Sequence, residues 1–253
     1  MLLPTLKTLL TVAKVLTLDI ETSPAIVYAW GLFDQNVGLS QIITPSRVLC
    51  FAAKWQGEKK VHFFSEWDDG DHGMVHAMHS LLDTADVVVS YNGKSFDIPH
   101  MNREMVEWGL TPPAPYGHVD LYQTVRRQFK FLSGKLDYVS DRLLDNKKLS
   151  TDFGLWKGVL AGDRQAQRKM AKYNKHDVVL TEQLYELILP WIPNHPSVAL
   201  IDGKAHACPS CGSGDVQKRG VSRTRVSTYQ RYQCQACGAW SRAGARKTKT
   251  ELR

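Results

Sequence analysis

From Val15 to Glu21 apolar and polar positions alternate, with Leu16, Leu18 and Ile20 on one side and Val15, Thr17, Asp19 and Glu21 on the other. A period of two is the signature of a β-strand, and this one carries two acids on a single face. Arg47–Trp55 and Lys60–Phe64 read as further strands joined through the turn-forming Gln56-Gly57-Glu58, so the sheet begins as an antiparallel meander. The period then changes: Met74, Val75, Met78, Leu81 and Leu82 recur at helical spacing between His72 and Thr84. Asp86–Tyr91 returns to a β-rich run. Helical patterns follow at Ile98–Trp108, Leu121–Phe131, Lys135–Leu144 and Asp163–Leu189, with a stiff Pro112-Pro113-Ala114-Pro115 loop after the first. Pro190, Pro193 and Pro196 end the last helix and open a short linker. The expected organisation is therefore an α/β domain over 1–197 and a second module over 198–253, without internal repeats.

Length and composition agree with that division. The chain has 253 residues, 43% hydrophobic and 23% charged, the composition of a soluble globular protein. No apolar run approaches the 18 or so residues of a membrane span. The opening stretch Met1–Ala13 is apolar, but Pro4 and Lys7 interrupt it, Lys14 follows, and no small-residue cleavage site appears. A cytoplasmic protein without a secretory signal is expected. The net charge of +7 is unevenly held: residues 203–253 carry 11 Lys or Arg against Asp215 and Glu251, leaving the remainder slightly acidic. A basic segment on a near-neutral domain fits a nucleic-acid-binding arm, and also a merely solvated tail.

The cysteines sharpen the second module. Cys50 sits in the apolar run Val48–Ala53 and reads as core, whereas the others form Cys208-Pro-Ser-Cys211-Gly and Cys234-Gln-Ala-Cys237-Gly, with 22 residues between the pairs. Four thiolates in two such knuckles suit one closed, tetrahedral, structural Zn²⁺ site. The insert is expected to form a β-hairpin, and the module resembles the zinc ribbons of many nucleic-acid enzymes. His206 lies nearby, but four cysteines suffice. Lys218, Arg219, Arg223, Arg225 and Arg231 interleave with Tyr229 and Tyr232, and Trp240 follows the second knuckle. Cations track phosphates and aromatic rings stack on bases; the same rings also suit the small core of a ribbon.

In the first domain three short segments carry candidate chemistry. Asp19 and Glu21 lie two apart on a strand, where their carboxylates repel unless a cation lies between them. Mg²⁺ or Mn²⁺ fits oxygen ligands of this kind, although a solvent-facing edge strand carries such pairs too. Tyr91-Asn92-Gly93-Lys94-Ser95-Phe96-Asp97 follows an apolar strand; Gly93 permits a tight exit, and Asp97 is placed to cap the next helix. In Tyr173-Asn174-Lys175-His176-Asp177, the tyrosine and the aspartate lie four apart on one helical face.

In this order, Leu18-Asp19-Ile20-Glu21-Thr22, Tyr91 to Asp97 and Tyr173 to Asp177 resemble the three exonuclease motifs of the DEDD superfamily, tyrosine subgroup. That subgroup includes the proofreading domains of family B DNA polymerases. Gly134-Lys135-Leu136-Asp137-Tyr138-Val139, Leu143-Leu144 and Lys147-Lys148 resemble the helix and lysine-containing stretch between its second and third motifs. The resemblance covers roughly residues 14–190. Lys172 stands five residues before Asp177, where the histidine subgroup would carry its histidine. The resemblance implies an RNase H-like fold, a mixed five-stranded sheet flanked by helices, here followed by the four-cysteine zinc ribbon. It implies a metal-dependent 3′→5′ exonuclease on single-stranded or frayed DNA. Asp19 would bridge two metal ions, Glu21 and Asp177 would complete the first site, Asp97 would support the second through water, and Tyr173 would orient the attacking water. Asn92 and Phe96 would shape the site and pack beneath it, Asn92 also meeting nucleic acid, while His100 and His176 read as structural. No polymerase motifs follow, so proofreading would serve a separate polymerase or another replication or repair protein. An exoribonuclease, a structure-selective nuclease and a non-catalytic nucleic-acid-binding adaptor are the alternatives.

Overall fold

The structure, a computed structural model, describes residues 12–251. Residues 1–11, which hold most of the stretch read for a secretory signal, lie outside the described residues. The chain divides into two compact units, one of Lys14–Tyr185 and one that includes Glu186–Arg253.

The first unit is built on a five-stranded sheet in the order β5-β4-β1-β6-β7. The strands are β1 (Val15–Thr22), β4 (Val48–Trp55), β5 (His62–Ser65), β6 (Val87–Ser90) and β7 (Gly117–Asp120). β4 runs antiparallel to both of its neighbours, β5 and β1, while β6 and β7 continue parallel to β1, so the sheet is mixed. A small two-stranded arm, β2 (Ile26–Val27) with β3 (Ile42–Thr44), leaves the sheet after β1. The helices are α1 (Gly70–Thr84), α2 (Asp97–Glu107), α3 (Leu121–Gln128), α4 (Leu136–Leu143), α5 (Phe153–Leu160) and α6 (Arg164–Ile188).

Both faces of the sheet are covered. Leu16, Leu18, Ile20 and Phe51 pack with Met74, Val75 and Met78 of α1 and Met101 and Met105 of α2. Leu49 and Cys50 pack on the opposite side with Leu155 of α5 and Met170 and Tyr173 of α6. The acids of β1 therefore lie in the middle strand of a covered sheet, which rules out the edge-strand reading of Asp19 and Glu21. Asp163 accepts the Gln165 N–H at 2.8 Å to open α6, and Pro190, which lacks an amide hydrogen, follows its end.

The predicted strands and helices of this unit are all present, with ends moved by three residues or fewer. Three elements were not anticipated. β7 is short and offers one apolar residue, Val119. α5 contains Gly154 and Gly158, ordinarily helix-weakening, yet a Cβ at Gly158 would lie 2.7 Å from the Ala166 Cβ, so glycine allows α5 and α6 to approach closely. The arm exposes Tyr28, Trp30, Leu32, Phe33 and Leu39, so its sequence has no buried face to reveal a period.

In the second unit, α7 (Val198–Ile201) precedes a three-stranded antiparallel sheet, β10-β9-β8. β8 (Val216–Arg223) and β9 (Ser227–Cys234) form the hairpin expected between the knuckles. β10 (Trp240–Lys249) adds a strand beyond the second knuckle that the sequence reading lacked. Among the described residues no helix is long and apolar enough to cross a membrane.

Candidate active site and metal centres

Asp19 and Glu21 project from β1 towards α6, which supplies Asp177. Carboxylate oxygens of the three residues lie within 4.8 Å of one another, a grouping able to hold a metal ion. Asn174, fully buried on α6, donates from Nδ2 to Asp19 Oδ2 at 2.7 Å and to the Asp19 carbonyl at 3.2 Å, fixing both the side chain and the strand. Asp97 stands outside this trio. It was expected to cap α2, but it is the first residue of that helix and its Oδ1 accepts the Ile20 N–H at 3.1 Å. The physical reason is that β6 pairs with β1 only through Thr17, leaving the later amide to a side chain.

Burial and mutual repulsion disfavour charge on these acids. Asp19 is pushed well above the usual carboxylate range, first by burial and then by Asp97, Glu21 and Asp177. Burial and Asp177 raise Glu21 to about 8, and burial raises Asp97 to about 7. Asp177 is also raised by burial, against the pull of Lys148, whose Nζ lies 2.8 Å from Asp177 Oδ2. Asp177 Oδ1 is buried and meets no hydrogen-bond donor among the described residues. Two buried carboxyl groups, Asp97 and Asp177, and two half-buried ones, Asp19 and Glu21, with one neighbouring ammonium are short of positive charge, and hard divalent cations supply it with oxygen ligands. The donor set fits such an ion.

Tyr173 shares the α6 face with Asp177, its ring lying under the Lys148 ammonium at 5.1 Å and edge-on to Trp156 at 6.3 Å. Burial, followed by Asp177, raises the phenol to about 12, so it keeps its proton near neutrality. Trp156 in turn donates to the Thr22 carbonyl at 3.1 Å, tying α5 to the end of β1.

The segment after β6 is held by a residue that the motif reading passed over. Asp120 accepts N–H groups from Asn92 at 3.0 Å and Lys94 at 3.2 Å while capping α3 through Tyr122 and Gln123. Asn92, at φ 67°, makes the left-handed turn expected of Gly93. Glycine is needed at 93 for space, since a Cβ there would lie 2.2 Å from Ser90 Oγ. Asp19, Asn92, Tyr91, Tyr122, Leu136 and Lys148 line a cleft of about 410 Å³ that also reaches Gly134, whose carbonyl accepts from the Tyr91 hydroxyl. Phe96 does not pack beneath the site; it is 40% exposed, with its ring against His100. His176 bonds the Lys147 carbonyl at 2.6 Å, in keeping with a structural role. Asn174 and Lys148 lie within the stretches that resemble the exonuclease family, and Asp120 has the position of an N-cap before a helical pattern. Those were the available signals.

The four cysteine sulfurs of the second unit also lie within 4.8 Å of one another, with Cys208–Cys237 at 3.7 Å and Cys211–Cys234 at 3.6 Å. A tetrahedral ion with bonds of about 2.3 Å to sulfur has edges of about 3.8 Å, so the donors fit Zn²⁺. Burial opposes charge on Cys234, but the Cys237 and Ala236 amides outweigh it and bring the thiol down to about 7. Burial holds Cys211 up at about 11 and Cys237 higher still. His206 is not part of the sulfur group.

The basic and aromatic residues of the ribbon do not form one surface. Residues opposed across an antiparallel ladder share a face, and the register places Tyr229, Arg231 and Trp240 on one face and Lys218, Arg223 and Tyr232 on the other. Arg219 lies in the irregular stretch of β8, and Arg225 in the turn before β9.

Comparison with known proteins gives a family and a fold. The family RNase_H_2, described as RNase_H superfamily, matches residues 16–189. Among solved structures, the family B DNA polymerase of the hyperthermophilic archaeon Pyrobaculum calidifontis superposes with a TM-score of 0.53 at 16% sequence identity. The match covers 85% of this chain and 31% of the polymerase, so the chain spans about a third of that enzyme. No curated protein matches the chain.

Proposed function

This chain belongs to the RNase H superfamily, and on that premise we propose that it is a metal-dependent 3′→5′ exonuclease acting on single-stranded or frayed DNA. The observation that carries the proposal is the grouping of Asp19, Glu21 and Asp177 within 4.8 Å, with Asp97 buried behind them and Tyr173 on the same helical face as Asp177. Two Mg²⁺ or Mn²⁺ ions bound there would supply Lewis-acid stabilisation of the attacking and departing oxygens.

The chain's own residues do the rest. Asp19 would ligate both ions, Glu21 and Asp177 would complete one site, and Asp97 would support the other through water. Asn174 holds the Asp19 carboxylate in place. Tyr173, protonated near neutrality, orients the attacking water by hydrogen bonding and does not act as a base. Lys148, charged beside Asp177 and lining the cleft, is placed to meet a phosphate oxygen. The water oxygen bonds phosphorus as the P–O3′ bond breaks, and the departing 3′-oxygen takes up a proton. The products are a nucleoside 5′-monophosphate and a strand with a new 3′-hydroxyl. In the second unit Cys208, Cys211, Cys234 and Cys237 would hold a structural Zn²⁺, and the ribbon would contribute to substrate binding. The similar polymerase acts on DNA, which favours DNA as substrate.

The test is digestion of a 5′-end-labelled single strand, as DNA and as RNA, with Mg²⁺, with Mn²⁺ and without either. A ladder of progressively shorter labelled DNA, seen only with metal, is expected. Release of the labelled end first would refute the polarity, and a faster ladder on RNA would make the chain an exoribonuclease.

A further inference from the structure

The ribbon sheet has one face of paired cations and aromatic rings. On it the Arg231 guanidinium lies over the Trp240 ring, 4.6 Å from its centroid, and the Arg242 guanidinium lies over the Tyr229 ring at 4.3 Å. Arg242 pairs with Arg231 across the ladder and Arg246 with Tyr229, so both arginines, absent from the sequence reading, join this face. Arg231, Trp240, Arg242 and Arg246 are exposed or half-buried, Trp240 being 52% exposed. The other face differs: Tyr232, Ser241 and Val216 line a groove of about 510 Å³ shared with Leu200, His206 and Pro209. One face of the sheet is thus backed by the unit's own chain, and the other presents arginine and aromatic groups to solvent.

We propose that the face bearing Tyr229, Arg231, Trp240, Arg242 and Arg246 is a binding platform for single-stranded nucleic acid. The inference deepens the nuclease reading by assigning the strand-holding surface, and it rests on that reading for its role. The charge is right, because residues 203–253 carry only Asp215 and Glu251 as acids against 11 basic residues. The ring chemistry selects the strand type. Aromatic rings and guanidinium planes both stack on bases, which a duplex hides and a single strand exposes. An arginine already held over a ring has less freedom to lose when a base stacks on the pair. Trp240 lies opposite Gln233 and Tyr229 lies four residues further along β9, so the two ring positions are about 14 Å apart along the strand. Arg231 and Arg242 lie between them, where they can follow the phosphates linking two stacked bases.

The experiment uses the full zinc-loaded chain without added Mg²⁺ or Mn²⁺, and measures fluorescence anisotropy of labelled single-stranded DNA and RNA oligonucleotides across a salt series. Trp240→Ala and Tyr229→Ala are each expected to weaken binding by about five- to a hundredfold, the range of one lost stacking position. Trp240→Phe, which keeps a ring, should stay within about threefold of wild type. Arg242→Gln with Arg246→Gln should flatten the salt dependence by about 0.7 per lost contact. Lys218→Ala, on the other face, should leave the stacking contribution at high salt unchanged. Zinc content of one per chain in each variant separates a lost platform from an unfolded ribbon. Wild-type affinity and salt slope in the zinc-loaded Trp240→Ala and Arg242→Gln/Arg246→Gln variants would overturn the proposal, as would equal losses from Lys218→Ala. Hydrolysis of a small chromogenic thymidine 5′-phosphodiester, which needs the acidic site and not the ribbon, is read in parallel. Its failure in wild type would remove the nuclease reading while leaving the binding result to decide the platform.

Discussion

The two ligand clusters of this chain are built in opposite ways. Asp19 and Glu21 come from a middle strand, and Asp177 arrives from a helix 156 residues beyond Glu21. Sheet and helix packing bring them together, so the fold makes the site. The thiolates come from two tight knuckles at the base of a sheet whose outer strands are largely exposed. That sheet has Cys208, Cys234 and Ala239 as its buried apolar cluster, too little to hold three strands unaided. Here the metal would make the fold. On the proposed reading the first site would tolerate loss of its ions but not of its ligands, whereas the second unit would depend on its ion for structure.

The largest effect expected from this contrast is at Asp19. Asp19→Ala should reduce cleavage by at least about a thousandfold, roughly 4 kcal/mol of barrier, while circular dichroism and strand binding stay intact. Activity within about tenfold of wild type would sink the assignment. Tyr173→Phe comes next, with a loss of about a hundredfold and no change in metal affinity. An unchanged rate would mean that the water is held by another group.

Breaking the sulfur cluster should do the reverse. Cys234→Ser with Cys237→Ser should release zinc and unfold the ribbon, weakening long-strand binding and flattening its salt dependence. Hydrolysis of a small phosphodiester should remain within about twofold, a difference of well under 1 kcal/mol. If that hydrolysis is lost as well, the two units are not separable in function.

The smallest effect is in stability against pH, measured as a melting temperature without added Mg²⁺ or Mn²⁺. Glu21 at about 8 and Asp97 at about 7 lie above their ordinary values, so the folded state favours their neutral forms. Such stabilisation is complete below the ordinary carboxyl range and is lost as pH rises through 7 to 8. The melting temperature should fall across that window and recover with Mg²⁺. A curve that rises with pH would contradict the crowding of these acids.

The same contrast explains what could be read from the sequence. The cysteine pairs and the Asp19–Glu21 pair announce themselves because each is complete within a few residues of a regular element. The contact of Asn174 with Asp19 spans 155 residues, and that of Asp120 with Asn92 spans 28, so neither follows from local spacing. Lys148 lies in a stretch that resembles the exonuclease family, yet only the fold sets it on Asp177. The aromatic face of the ribbon was obscured by its bulges: irregularities between Lys218 and Val221 and between Arg242 and Arg246 interrupt the simple ladder register. The glycine-containing α5 was hidden because its reason lies in the neighbouring α6.

The central claim is that Asp19 holds both catalytic ions. Titration of Mn²⁺ into zinc-loaded protein, followed by the paramagnetic resonance of the free ion, tests it most directly. The account predicts two ions bound per wild-type chain beyond the zinc, and neither bound tightly after Asp19→Ala. Two ions retained by the variant, or none taken up by the wild type, would contradict it.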